Sequence, residues 1–387
     1  MAGQIIKRGE QRYLIRIFLG RHPTTGKRRY RNETVQGSKK KAEARLTQLL
    51  RERDTGTLIE PTRVTVDHYL DDWLQSAARP RLRQSTYDGY ELILKLYVRP
   101  ELGDRPLASI QPLDIQGLYA GMIERGLSPR TVRHAHAVLR SALNQAVKWR
   151  LLHNNAAMFV DLPRQQKKEM HALSPEQAQA FLKTAADDKW GVLFALALTT
   201  GMRPGEYLGL QWKDVDLTKG IATVRRAVAF RSGGEWEFTE PKTAKSVRPI
   251  PLPPSVTAML VAHQTKQAEK VAAARQRRED KGEPFEYTDH GLVFAGDQGQ
   301  PLDLRNLTQR HFRAILKAAE LPQELRLYDL RHSCATLLLA QGEHPKVVSE
   351  RLGHASVTLT LDTYSHVLPT MQQQAAERLE TALFGRE

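Results

Sequence analysis

Four separated segments hold side chains that can act together on an oxygen-rich anion. The first is Thr199-Thr-Gly-Met-Arg-Pro-Gly-Glu-Tyr-Leu-Gly-Leu-Gln-Trp212. Arg203 is flanked by Gly201, Pro204 and Gly205, so its backbone belongs at a helix junction and not mid-helix. Glu206, three residues on, can hold the guanidinium, although the same spacing describes ordinary surface ion pairs. The second is Glu240-Pro-Lys-Thr-Ala-Lys-Ser-Val-Arg248, a turn between two strands with Lys242 near its tip. Such a lysine is usually solvated and inert, but it can also reach into a DNA groove and deliver a proton. In the third, Leu327-Tyr-Asp-Leu-Arg-His-Ser-Cys-Ala-Thr336, Tyr328 and Arg331 are spaced to face one pocket. Leu330, Ala335 and Leu338 then turn to the core. The fourth runs from Arg351 to His366: a helix that stops at Gly353 leaves His354 at its end, and Tyr364 follows in a second short helix. Alone, a tyrosine so placed is more often packing than a nucleophile.

In order and wording these segments resemble the signature boxes of the tyrosine recombinase (phage integrase) family. The T-G-x-R-x-x-E, P-K-T, D-L-R-H, L-G-H and T-x-x-T-Y-S-H boxes all occur in the family's sequence. The resemblance implies that Arg203 and Arg331 clamp a phosphate, that Lys242 is the family's lysine, that His354 is its second histidine and that Tyr364 is the nucleophile. Glu206 matches an acidic position that orients Arg203. One position departs: the family usually has His three residues before the second arginine, where this chain has Tyr328. A neutral phenol donates a hydrogen bond but is a poor general base near neutral pH. Asp329 and His332 flank the same box, and neither is assumed to replace the missing histidine.

The implied reaction is transesterification of a DNA strand. Tyr364 attacks phosphorus, leaving a 3′-phosphotyrosyl link and a free 5′-hydroxyl, and the bond energy kept in the link permits rejoining without ATP. Two guanidinium forks match the non-bridging oxygens as charge accumulates. Lys242 is the candidate acid for the leaving oxygen, and His354 hydrogen-bonds the phosphate. No cofactor or metal is expected, since the sequence shows no carboxylate cluster to hold a divalent ion.

These residues must be positioned by a chain of 387 residues, too long for one core. A formal charge of +15 points to a polyanionic partner. Residues 1–60 hold fifteen Lys/Arg against six Asp/Glu, so much of that excess is concentrated there. Within them Gln11 to Phe18 alternates like a strand with Leu14 off phase, His22 to Gly26 is a turn cluster, and Lys27 to Arg31 is a second, basic strand. Lys39 to Arg53 reads as a helix with Ala42, Leu46, Leu49 and Leu50 on one face. Arg12, Arg16, Lys27, Arg28, Arg29 and Arg31, alternating with Tyr13 and Tyr30, suit insertion into a DNA groove, where the bland account is a solvated basic face.

Gly56 to Arg63 reads as a linker, and helices follow to about Asn155. Thr65 and Ser85 are candidate caps, Pro100 ends the second helix, and Ser128-Pro129 opens a helix from Arg130 to about Leu152. Its apolar side carries Val132, Ala135, Leu139 and Leu143, and its other side Arg130, Arg133, Arg140 and Lys148, a clamp for duplex DNA or merely solvated charge. After a basic linker at 161–171, Ser174-Pro-Glu-Gln177 is a capping box. Two helices come next, then strands at Ile221–Val228, Glu235–Thr239 and Val247–Leu252, then a long helix at 255–279 and helices onward.

The resulting expectation is a multidomain, mainly α protein. Residues 1–57 form an arm-type DNA-binding domain, a three-stranded β-sheet plus helix. Residues 64–160 form a four-helix core-site-binding domain, and 172–387 a mixed α+β catalytic domain. The resemblance implies a site-specific recombinase that integrates or excises a mobile element, working on double-stranded core and arm attachment sites as a homotetramer, with an excision factor or host DNA-bending protein as possible partners. Relaxation of DNA in the manner of a type IB topoisomerase is the nearest alternative; a DNA-binding regulator without catalysis is the other. No apolar run nears the ~18 residues of a membrane span, the N-terminus lacks a signal peptide's apolar core, and a bacterial cytoplasmic, nucleoid-associated protein is expected. Cys334, the single cysteine, excludes an internal disulfide.

Overall fold

The alternation seen at Gln11 to Phe18 becomes β2 (Arg12–Arg21), the middle strand of an antiparallel sheet between β1 (Gly3–Gly9) and β3 (Arg28–Gln36). A computed structural model of the chain describes residues 3–21, 25–55, 64–165, 171–231, 234–240, 247–364 and 369–385. These divide into two compact units, Met1–Lys167 and Lys168–Glu387. Odd positions of β2 bury Ile15 and Ile17 against α1 (Lys39–Asp54), which contributes Ala42 and Leu49. Even positions set Arg12, Arg16 and Phe18 on the opposite face, paired with Gln36, Asn32 and Tyr30 of β3. The Arg16 guanidinium lies 4.2 Å from the centre of the Tyr30 ring.

Arg31 differs from the expectation for the basic strand. It has the parity of the helix-facing side, and its guanidinium donates to Glu33 at 3.0 Å, while Glu33 also accepts from Arg45 of α1 at 2.6 Å. Arg31 therefore helps fasten sheet to helix and does not share the face of Arg12 and Arg16. Lys27, Arg28 and Arg29 are exposed.

The rest of the first unit is helical. Thr65 caps α2 (Val66–Trp73), and α3 (Gln84–Ile93) follows. Ser85 is not the cap; the chain enters α3 two residues earlier, from an extended Arg83. Nor does Pro100 end that helix. A π-helical turn, Leu94–Val98, carries it into α4 (Arg99–Leu102), so Pro100 lies where the hydrogen-bond register changes from π to α. α5 (Pro112–Glu124) and α6 (Pro129–Lys148) complete the bundle around Tyr69, Trp73, Leu94, Leu118, Val132 and Leu139. Ser128 caps α6 by accepting from Thr131 N at 3.2 Å. The helix stops four residues before the expected end, because Arg150 takes a left-handed φ of 61°.

In the second unit Ser174 and Gln177 form the expected capping box at the start of α7 (Pro175–Ala185). α8 (Gly191–Thr200) is buried along nearly its whole length, so it is apolar on every side. Phe181, Phe194 and Phe312 pack ring to ring around it. A short helix, α9 (Pro204–Leu208), precedes two small sheets. One has the order β4 (Val215–Asp216), β5 (Ile221–Val224), β8 (Arg248–Pro251); the other pairs β6 (Ala227–Phe230) with β7 (Trp236–Thr239).

Two strand expectations change. Ile221–Val228 is not continuous: it breaks at Arg225 and Arg226, whose guanidiniums both turn to the buried carboxylate of Asp214. The segment that contains Lys242 does not join paired strands, since β7 and β8 belong to different sheets. Lys242 itself lies outside the described residues. Next come α10 (Pro254–Asp280), α11 (Leu304–Asn306), α12 (Arg313–Ala318), α13 (Asp329–Ala340), α14 (Pro345–Leu352), α15 (Val357–Tyr364) and α16 (Pro369–Phe384). Between α10 and α11 the chain is irregular where helix was expected. Gly282, Gly291 and Gly299 each take positive φ there, which breaks any helical run.

Candidate active site

The site grows from two helix C-termini. α8 ends at Gly201 and α14 at Gly353, both left-handed, with φ of 65° and 66°. A β-carbon on Gly201 would sit 2.5 Å from Leu352 Cδ2, and one on Gly353 would sit 2.8 Å from Arg248 Nη1. Only glycine allows the two ends to meet so closely. At Gly353 the stop is a Schellman turn, with His354 N donating to Ser349 O at 3.0 Å.

Helix C-termini carry unsatisfied carbonyls and partial negative charge. Three arginines answer them. Arg331 donates from Nη1 to Gly201 O at 2.7 Å and from Nη2 to Leu352 O at 2.8 Å. Arg248 Nε donates to Arg351 O at 2.7 Å, and Arg351 Nη2 donates to Thr199 O at 2.8 Å. Arg331 is only 2% exposed. Burial, and then the neighbouring Arg203 charge, pull its pKa down to about 10, which leaves it cationic at neutral pH.

Arg203 is the N-cap of α9, with Pro204 in the first turn. Glu206 closes the box: its Oε2 accepts from Arg203 N at 2.9 Å and its Oε1 from Arg203 Nη1 at 2.8 Å. The same carboxylate accepts from Arg248 Nη2 at 2.8 Å. Burial alone raises the Glu206 pKa; the Arg248 hydrogen bond and charge, then Arg203, overcome it and hold the carboxyl below its ordinary value. Arg203 and Arg248 on the Glu206 carboxylate, with Arg331 beside them, leave a net positive site, suited to a phosphodiester. From sequence, Arg248 has no role beyond closing the segment that holds Lys242. Its signal was slight, since an arginine in the first position of a strand reads as surface.

α13 is fixed at its start by buried Asp329, which accepts from Arg326 N and from the Arg326 guanidinium, both at 2.8 Å. This aims Tyr328, Arg331 and His332 at the same region. Tyr328 is 39% exposed, and its ring meets His332 with centroids 5.3 Å apart. Tyr364, the last residue of α15, is 1% exposed, and its hydroxyl lies 2.8 Å from His332 Nδ1. Burial raises the phenol pKa, and the Arg331 charge is the main influence lowering it. His354 Nδ1 lies 2.7 Å from Thr360 Oγ1. Burial, followed by Arg331, Arg203 and Arg248, pulls the His354 pKa down to about 4, so it is neutral at physiological pH. The structure thus gathers Arg203, Glu206, Tyr328, Arg331, His354 and Tyr364, and adds Arg248 and His332. His332 had a readable signal: it stands four residues after Tyr328, one helical turn away.

The family model described as the phage integrase family matches residues 170–371, more than half the chain. The chain belongs to the phage integrase family. A second model, the family's N-terminal SAM-like domain, matches residues 65–123. Among relatives, a tyrosine recombinase XerC-like protein of Caldanaerobacter subterraneus subsp. tengcongensis is 28% identical, with 97% of each chain covered. An integrase of Streptomyces ambofaciens is 30% identical over 94% of this chain and 92% of its own. The ICEBs1 integrase of Bacillus subtilis is 26% identical over 96% and 97%. In fold, the chain is similar to the Tn1549 transposon integrase solved with a circular intermediate DNA, with a TM-score of 0.66, 23% identity and coverage of 82% of this chain and 99% of that one. It is also similar to a lambda integrase dimer bound to a COC′ core site, with a TM-score of 0.54, 19% identity and coverage of 93% and 94%. As a member of this family the chain is a DNA-binding, DNA strand-transferring enzyme, a site-specific tyrosine recombinase of the mobile-element integrase type. Among the described residues no helix is long and apolar enough to cross a membrane.

The other basic expectations lie in the first unit. Arg130, Arg140 and Lys148 are exposed on α6, while Arg133 spends its Nε on Pro163 O at 3.0 Å. Ser141, Asn144 and Gln145 of α6 join Arg81 and Lys148 in lining a concave surface beside the Trp73 and Tyr90 rings.

Proposed function

We propose that this chain cuts and rejoins DNA with Tyr364 as the nucleophile, forming a 3′-phosphotyrosyl intermediate during integration or excision of a mobile element. The observation that carries the reading is that the Tyr364 phenol packs against α13 of its own chain, within the field of Arg331. That placement favours cleavage by a tyrosine in its own active site.

Arg203 and Arg331 hold the non-bridging oxygens, and their fixed N–H groups stabilise the added charge of the five-coordinate phosphorus. Glu206 orients Arg203 and joins it to Arg248. His354, as a neutral imidazole, donates a hydrogen bond to the phosphate, and Tyr328 donates another from its phenol. Lys242 supplies the proton to the 5′ leaving oxygen.

Residues 1–57 read arm-type sites through Arg12, Arg16, Lys27, Arg28 and Arg29 on the sheet and its rim. Residues 64–160 grip core sites through Arg130 and the exposed face of α6, and residues 172–387 carry the chemistry. Four copies assemble on paired core sites in the bacterial cytoplasm at the nucleoid, with an excision factor or a DNA-bending protein setting direction. The test is Tyr364→Phe on a nicked duplex spanning the junction of element and host DNA. The variant binds as the parent does and forms no SDS-stable, protease-sensitive adduct; an adduct of normal yield rejects the assignment.

A further inference from the structure

We propose that His332 is the group that takes the proton from the nucleophile, an inference that rests on Tyr364 being the attacking residue. Tyr328 occupies the position where a histidine would be expected, and a phenol does not accept a proton near neutral pH. The acceptor role is therefore open in this chain, and the atom that meets the nucleophilic oxygen is His332 Nδ1, at 2.8 Å. That is within the reach required of a general base before substrate arrives. The His332 ring is held between two phenols, with centroids 5.3 Å from Tyr328 and 5.8 Å from Tyr364. It sits one helical turn after Tyr328 and one residue after Arg331, so the helix that clamps the phosphate also presents the acceptor.

A base must be neutral before it acts. The charged and titratable groups facing His332 are Asp329 and Arg331 of α13, Tyr328 and Arg326 just before it, Tyr364 of α15 and His354 after α14. Burial is the largest influence and disfavours the imidazolium; Asp329 opposes it, and Arg331 and Arg326 reinforce it, leaving the pKa below the ordinary histidine value. With the phenol as donor, Nδ1 accepts and Nε2 carries the ring hydrogen. The step balances: the Tyr364 Oη–P bond forms as the P–O5′ bond breaks. The phenol proton passes to His332 Nδ1, and O5′ takes its proton from a separate donor, assigned above to Lys242. Asp329, three residues away, then favours the imidazolium that results.

The experiment uses the full chain on a nicked duplex of the element–host junction, made with either oxygen or sulfur at the bridging 5′ position of the cut. A thiolate leaves without a proton, so sulfur relieves loss of the acid but not loss of the base. His332→Gln should bind DNA as the parent does and form adduct about 10²-fold more slowly at neutral pH on both substrates, the low end for a general base. The deficit should shrink at high pH as hydroxide ionises the phenol. The parent rate should fall by one proton below an inflection under the ordinary histidine value, and His332→Gln should lack that inflection. A parental rate in His332→Gln, a deficit equal at every pH, or rescue by sulfur overturns the inference. So does a parent profile with no inflection at any pH below the ordinary histidine value at which the protein still folds and binds DNA, a measurement that needs no variant. Mapping the DNA-linked peptide separates the two layers: linkage at another residue removes Tyr364 itself, whereas linkage at Tyr364 with an indifferent His332 removes only the proton acceptor.

Discussion

Arg331 serves two purposes with one guanidinium. Two of its nitrogens satisfy helix-end carbonyls, and in the proposed reaction its remaining N–H groups are the ones offered to the phosphate. Arg203 is tied on one side to Glu206 but remains 38% exposed in its side chain. The two arginines should therefore fail differently when cut to alanine. Both variants slow single-turnover cleavage ~10²–10³-fold, the usual cost of one transition-state donor, with binding nearly intact. Arg331→Ala also strands the carbonyls of Gly201 and Leu352, at ~1–3 kcal/mol each if they stay dry, so its melting temperature falls well below that of Arg203→Ala. Equal melting temperatures in the two variants contradict this division of labour. His354 gives a second test. Its folded pKa of about 4 lies below the unfolded value near 6.5, so the unfolded chain binds the proton first as pH falls. Stability from this group is present above about pH 6.5 and is lost between there and about pH 4. His354→Asn should flatten the dependence of melting temperature on pH across that window; an unchanged slope shows that other groups control it.

At the scale of elements, the site is a junction of helix ends. α8 and α14 stop at left-handed glycines, and the arginines from α13, α14 and β8 fill the space between the ends. Gly353→Ala imposes both a strained φ and a clash with Arg248 Nη1. It should destabilise the fold by more than about 1 kcal/mol, beyond what a compatible glycine-to-alanine exchange gains. Because Arg248 leans on Glu206, and Glu206 on Arg203, cleavage should fall too. Denaturant midpoints and adduct yield measured together check this; a variant as stable and active as the parent shows that the junction tolerates a β-carbon. The small sheets contribute less regular support. β8 delivers Arg248 from one sheet, while β7 belongs to the other.

Across the whole molecule, chemistry and charge occupy different places. The basic sheet at the N-terminus has its own small core around Ile15, Ile17 and Leu49, distinct from the core of the helical bundle. Deleting residues 1–60 should therefore spare cleavage of a core-site duplex and abolish recombination of full attachment sites. It should also flatten the salt dependence of binding to long DNA, because each lost phosphate contact reduces that slope by about 0.9. Full recombination by the truncated protein contradicts an arm-binding role.

Much of this was legible in order along the chain. Helix starts at Thr65, Ser128 and Ser174 were readable because a cap and the first turn it serves are local. The residues of the site were readable because their types and order resemble a family's boxes. Composition marked Lys27 to Arg31 as a basic strand, but not that Arg31 would lie on the helix-facing side, where it shares Glu33 with Arg45. Pro100 and Ser85 misled because a π-helical turn and an extended Arg83 depend on packing beyond the window of a local pattern. Only the tertiary structure decided that Arg248 reaches Glu206, 42 positions away, and that His332 meets Tyr364, 32 positions away. Sequence records which groups can donate and accept, whereas pairings between distant residues are fixed by helix ends brought together through burial, an interaction that has no period along the chain.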